Sequence, residues 1–291
     1  MSNLSSLDWR DVSRCFNKSI IEQCGTDSWI ERVSRIIFSS PYGSHCVGMR
    51  IGDALNFLYS ELEKHYRYEY VYKNSIATKI AINRHSPNTT TSILEFQVNK
   101  SKADLVIVNG TSSVYEIKTE YDSFDRLNSQ IADYKKVFDK INIVTHEGGI
   151  DRVAAIVDET VGLIYLDNKM RLKMIKAPES NISNIDQLSI FHCLRQGEYL
   201  KILKELKDFE PQVPAHLIYG VCKEKFLELT VEQAHLGMVK CLKIRGKTPG
   251  LSKFINCLPR SLRVLGLAGE MSVGQQERLL QAMEKTVMQV V

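Results

Sequence analysis

Residues 103–123 read ADLVIVNGTSSVYEIKTEYDS. Asp104 heads an apolar run, and Glu116 and Lys118 sit inside a second one. Charged groups on buried strands are costly unless paired, hydrogen-bonded or liganded to a metal ion. Between the two runs stands Asn109-Gly110, the strongest short-range hairpin signal. Side chains at i and i+2 leave a strand on one face, so Glu116 and Lys118 point together. A two-, three- or four-residue loop starting at Asn109 sets Asp104 opposite residue 115, 116 or 117. The three-residue loop places Asp104 across from Glu116, with Cβ atoms about 4.5–5.5 Å apart. Two carboxylates that close repel unless one holds a proton or a cation lies between them. Mg²⁺, held by one or two carboxylates plus water and phosphate oxygens, suits such a pair.

Outward from this hairpin the pattern is α/β. ILEFQV (93–98) reads as a preceding strand. FDRLNSQIADYKKVF carries Phe124, Leu127, Ile131, Tyr134 and Phe138 on one helical stripe, with Asp122 or Ser123 as N-cap. INIVTH (141–146) is an apolar strand, and VGLIYLD–NK–MRLKMIK reads as a further hairpin. Residues 51–85 have helical spacing, and the pattern from Asn184 onward is helical. The expected division is a helical extension at 1–48, an α/β core at 49–180 and a helical C-terminal region at 181–291.

The composition is that of a globular protein, with 44% hydrophobic and 25% charged residues over 291. A formal charge of +4 permits nucleic-acid binding without requiring it. Seven scattered cysteines without a C-x-x-C pair argue against a zinc or disulfide framework. No signal-like N-terminus and no apolar run of membrane-spanning length is seen, so a cytoplasmic protein without a membrane partner is expected.

An Asp on one strand, a hairpin and then E-x-K on the next resembles the PD-(D/E)XK nuclease superfamily. Gln130 and Tyr134 match the Q-x-x-x-Y of its RecB-like branch, and residues 102–145 are similar to a bacterial branch of the superfamily. Ala103 stands where the family's proline does. The resemblance implies a restriction-endonuclease-like core, a mixed central sheet flanked by helices, with the helical C-terminal region added. It implies Mg²⁺ or Mn²⁺ held by Asp104, Glu116 and the Ile117 carbonyl, with Glu95 as a further ligand. Glu69 and Glu61 are the rivals for that last place. Lys118 would position or activate water, braced by Gln130 and Tyr134. The implied function is a metal-dependent nuclease acting on DNA rather than RNA, with defence against phage or other foreign DNA as its setting. The alternative is a catalytically silent nuclease fold that binds nucleic acid or serves assembly. The helical C-terminal region would add substrate grip, a protein partner surface or a homodimer surface. A second E-x-K, Glu205-Leu206-Lys207, falls on a helical pattern and reads as surface charge.

Overall fold

In the computed structural model, residues 6–17 and 27–288 are described. They fall into two compact units, one formed by residues 1–88 with 246–291 and one by residues 89–245. The first is helical. Its long helix Ile51–His65 is followed by Glu69–Ile76 and a π-helical turn, Ala77–Arg84. The returning chain is tied on by buried polar contacts. Tyr70 donates its hydroxyl to Ser261 O at 2.6 Å, Asn74 donates to Arg260 O at 2.9 Å, and Val264 N–H donates to Asn74 Oδ1 at 3.0 Å.

The second unit holds a six-stranded mixed sheet in sequential order: β1 (Thr91–Val98), β2 (Ser101–Asn109), β3 (Thr111–Lys118), β4 (Lys140–His146), β5 (Gly162–Leu166) and β6 (Leu172–Lys176). β1, β2 and β3 form an antiparallel meander, β3, β4 and β5 run parallel, and β6 returns antiparallel. Parallel neighbours need a crossover. Helix α1 (Leu127–Lys135) supplies it between β3 and β4, and the short α2 (Ile150–Ala154) between β4 and β5. Four helices follow: α3 (Gln187–Cys193), α4 (Gln196–Lys207), α5 (Ala215–Leu227) and α6 (Val231–Ile244). A mixed central sheet flanked by helices, with further helices towards the C-terminus, is thus the architecture observed.

The expected boundary at residue 180 falls inside the sheet unit. One apolar core runs from Phe96, Val106 and Val114 through Tyr134 and Phe138 to Phe191, Ile202, Phe226 and Met238. Polar bonds hold the chain down around that boundary. Asn181 donates its amide to Lys135 O at 2.6 Å and Phe138 O at 2.9 Å. The Asp139 carboxylate accepts from Thr111 Oγ1 at 2.7 Å and Ser180 Oγ at 2.6 Å. The helices of 187–244 therefore belong to the sheet unit, and the segment beyond residue 245 groups with the N-terminal helices.

Helix α1 also starts later than expected, at Leu127, because Asp122 is used elsewhere. Its Oδ2 accepts from Thr119 N–H at 2.8 Å and Thr119 Oγ1 at 2.6 Å, closing a turn rather than capping the helix. Gly110, at φ +76°, supplies the left-handed residue of the β2–β3 turn.

Asp139 yields a stability prediction. Burial acts to raise its pKa, but bonds from Ser180, Thr111 and the Asn181 N–H outweigh it and hold the carboxyl low. A depressed carboxyl contributes stability above its unfolded value, lost as pH falls through the folded one, so the loss is expected below about pH 4. Asp139→Ala should cost about 1–3 kcal/mol at neutral pH in urea unfolding, since its donors lose their acceptor. Asp139→Asn should flatten the acid limb of the stability–pH curve.

Candidate metal and phosphodiester site

The β2–β3 hairpin closes in the register of the three-residue loop. Val108 pairs with Ser112 and Leu105 with Tyr115, so the next level sets Asp104 beside Glu116. On the other side, Leu94 pairs with Leu105 and Phe96 with Ala103, which sets Glu95 at the level of Asp104. Glu95, Asp104 and Glu116 therefore lie at one level across β1, β2 and β3. The ladders are interrupted there. Glu95 adopts φ +56°, a conformation that costs a non-glycine residue about 1–3 kcal/mol. The Asp104 carboxylate substitutes for ladder bonding by accepting from Ile117 N–H at 2.8 Å.

The carboxylates of Glu95 and Asp104 come within 4.8 Å of each other. Lys102 Nζ lies 2.9 Å from Glu95 Oε2. Glu116 is 2% exposed and is held by three donors. Gln130 Nε2 donates to Oε1 at 2.5 Å, Tyr134 donates its hydroxyl to Oε2 at 2.6 Å, and Lys118 Nζ lies 3.1 Å from Oε1. Lys118, itself 7% exposed, also donates to Gln130 Oε1 at 2.9 Å. Residues four apart on a helix share a face, and α1 turns Gln130 and Tyr134 together onto the sheet. Burial pushes the Glu116 carboxyl up, while Lys118, the Tyr134 hydroxyl and the Gln130 amide pull it down without fully offsetting that cost. Burial, and then the negative charge of Glu116, raises the Tyr134 phenol, so it stays a donor.

The expected residues thus meet in two groups: Glu116, Lys118, Gln130 and Tyr134 in a buried hydrogen-bonded cluster, and Glu95 with Asp104 beside it on the sheet. Ile117 joins them through its N–H on Asp104. Glu61 and Glu69 belong to the helical unit, where Glu61 accepts from Tyr42 and Lys64 and Glu69 pairs with Lys73. The second E-x-K lies at the end of α4, where Lys201 is 3.8 Å from Glu205, as expected of surface charge. Two contributors escaped the sequence reading. Lys102 neutralises Glu95, and its i−2 spacing to Asp104 on a strand was the available signal. Thr145, on β4, donates its hydroxyl to Lys118 O at 2.8 Å and fixes the end of β3.

The donor set is all oxygen and carboxylate-rich, which fits a hard divalent cation. Glu95 and Asp104 would hold it. Glu116 would join by sharing an oxygen that now accepts from Gln130 or Lys118.

Two substitutions test this geometry. Tyr134→Phe should destabilise the fold by about 1.5–3 kcal/mol, because a buried charged acceptor loses a donor. Urea unfolding unchanged from wild type would mean that Glu116 does not depend on that bond. Glu95→Gly should raise stability by about 1 kcal/mol, since glycine adopts positive φ without strain.

Among known proteins, protein cII of Enterobacteria phage P4 is 33% identical over 78 residues, 26% of this chain. The aligned stretch spans 30% of that relative's own length. A solved structure of a protein of unknown function from Silicibacter pomeroyi shares 14% identity, covering 50% of this chain and 77% of its own. Its TM-score is 0.27, too low to compare folds. No helix among the described residues is long and apolar enough to cross a membrane. The family of bacteriophage P4 protein cII matches residues 63–246. That match spans more than half of the chain and takes in the whole sheet unit, with every site residue from Glu95 to Tyr134, so the chain belongs to the bacteriophage P4 cII family.

Proposed function

We propose that the protein is a metal-dependent nuclease that hydrolyses phosphodiester bonds in DNA. The observation that carries this reading is the buried Glu116–Lys118 pair, braced by Gln130 and Tyr134 and set one strand from Asp104 and two from Glu95. A buried ion pair needs further hydrogen bonds to fill its remaining lone pairs, and Gln130 and Tyr134 supply them. Here a helix is recruited to orient both partners next to two more carboxylates, which suits a site that must hold an oxygen-ligated cation and a water in fixed positions.

A Mg²⁺ or Mn²⁺ ion bound by Glu95, Asp104 and Glu116 would supply charge for the phosphate and acidity for a water. The chain's own groups do the rest. Lys118, steered by Gln130, positions the attacking water and offsets negative charge on the phosphate oxygens. The water oxygen bonds to phosphorus and gives up a proton to solvent, the bond from phosphorus to the leaving oxygen breaks, and the leaving oxygen takes a proton from solvent. Tyr134 keeps Glu116 from rotating away.

One observation favours a second reading. Both Glu116 oxygens already accept internal bonds, and Asp104 already caps Ile117 N–H. A silent nucleic-acid-binding or assembly module would need nothing more.

Cleavage of linear, circular and single-stranded DNA and of RNA separates the two. With Mg²⁺ or Mn²⁺ the wild type should cut DNA, EDTA should stop it, and Lys118→Ala and Glu116→Ala should each lower the rate by at least about a hundredfold. DNA binding without metal-dependent cutting would favour the silent module.

A further inference from the structure

We infer that Tyr121 is a stacking platform for an unpaired nucleobase next to the scissile phosphate, so that the substrate is single-stranded or locally opened DNA. This inference rests on the nuclease reading and names its substrate class.

In sheets with parallel strands, ligands gather beyond the carboxyl ends of those strands. Lys118 is the last residue of β3, and β4 runs parallel beside it with Lys118 paired to Thr145. The segment leaving β3 turns at once. Asp122 N–H donates to Thr119 O at 3.3 Å, and Tyr121 N–H lies 3.2 Å from Thr119 Oγ1. Asp122 in turn takes both Thr119 donors. Tyr121 therefore sits at the tip of a braced turn, three residues from Lys118, and the residue is 53% exposed. An aromatic ring held out on a fixed turn loses little freedom when a base covers it.

A cation accompanies it. Arg152, exposed on the helix that follows β4, lies with its guanidinium 4.4 Å from the centre of the Phe124 ring. Phe124 is buried and belongs to the same segment as Tyr121. The ring fixes the guanidinium beside the turn, where it meets a backbone phosphate. A ring for the base and a cation for the phosphate, both placed by the strand ends that frame Lys118, make a single-strand track.

The test is binding in EDTA, where nothing is cut. Fluorescein-labelled oligothymidylate, the same sugar-phosphate strand lacking its bases, and a blunt duplex are titrated with full-length wild type, Tyr121→Ala, Tyr121→Trp and Arg152→Ala. Wild type should prefer the intact strand over the abasic one and over the duplex. Tyr121→Ala should weaken binding of the intact strand on the order of ten- to a hundredfold and leave the abasic strand little changed. Tyr121→Trp should keep the preference, and the difference between its fluorescence quenching and that of wild type should track occupancy. Arg152→Ala should weaken intact and abasic strands alike and reduce the salt slope by about one. Wild type binding intact and abasic strands equally well, or Tyr121→Ala retaining the preference, would overturn the platform. Base-dependent binding by a wild type that cuts nothing with Mn²⁺ would support the platform and remove the nuclease reading. Cutting without base-dependent binding would do the reverse.

Discussion

The sheet unit is organised around one buried carboxylate. Glu116 sits on a central strand with almost no contact with water, a position that costs several kcal/mol for an uncompensated charge. Compensation comes from Lys118 two residues along the strand and from Gln130 and Tyr134 on the crossover helix. Those bonds fix the rotation of α1 about its axis and its position along β3. The same rotation turns Leu127 and Ile131 into the core shared with Phe138 and Phe96. The polar cluster and the apolar packing thus specify one arrangement of helix on sheet.

Around that point the sheet departs from regularity where the acids are. Glu95 takes a left-handed conformation, and Asp104 gives its carboxylate to the backbone of Ile117. Strain and interrupted pairing at one level across three strands are features that folds keep where function requires them. Three carboxylates fall at one level of the sheet, where Lys102 pairs with Glu95 and Lys118 with Glu116. A cation bound among them would add to that compensation.

Much of this was legible in the sequence because it is local. Asn109-Gly110 announces the turn, the two-residue period of a strand puts Glu116 and Lys118 on one face, and the i, i+4 spacing of Gln130 and Tyr134 joins them to one side of a helix. Non-local effects were not legible. Asp122 resembles a helix cap, but the Thr119 donors reach it first, and the helix starts at Leu127. The expected boundary at residue 180 falls in a polar stretch, KAPESNISN (176–184), yet Asn181 and Ser180 are bonded to the α1–β4 connection, so the helices beyond stay with the sheet. The positive φ at Glu95 follows from neither propensity nor period, since glutamate has no preference for it.

The carboxylates at this level are proposed to share a divalent cation. Calorimetric titration of Mn²⁺ into the purified wild type, Asp104→Asn and Glu116→Gln tests it without requiring substrate or partner. One site per chain is expected in the wild type, lost or weakened at least about tenfold in both variants. A wild type that takes up no Mn²⁺, or three proteins that bind it equally, would contradict it.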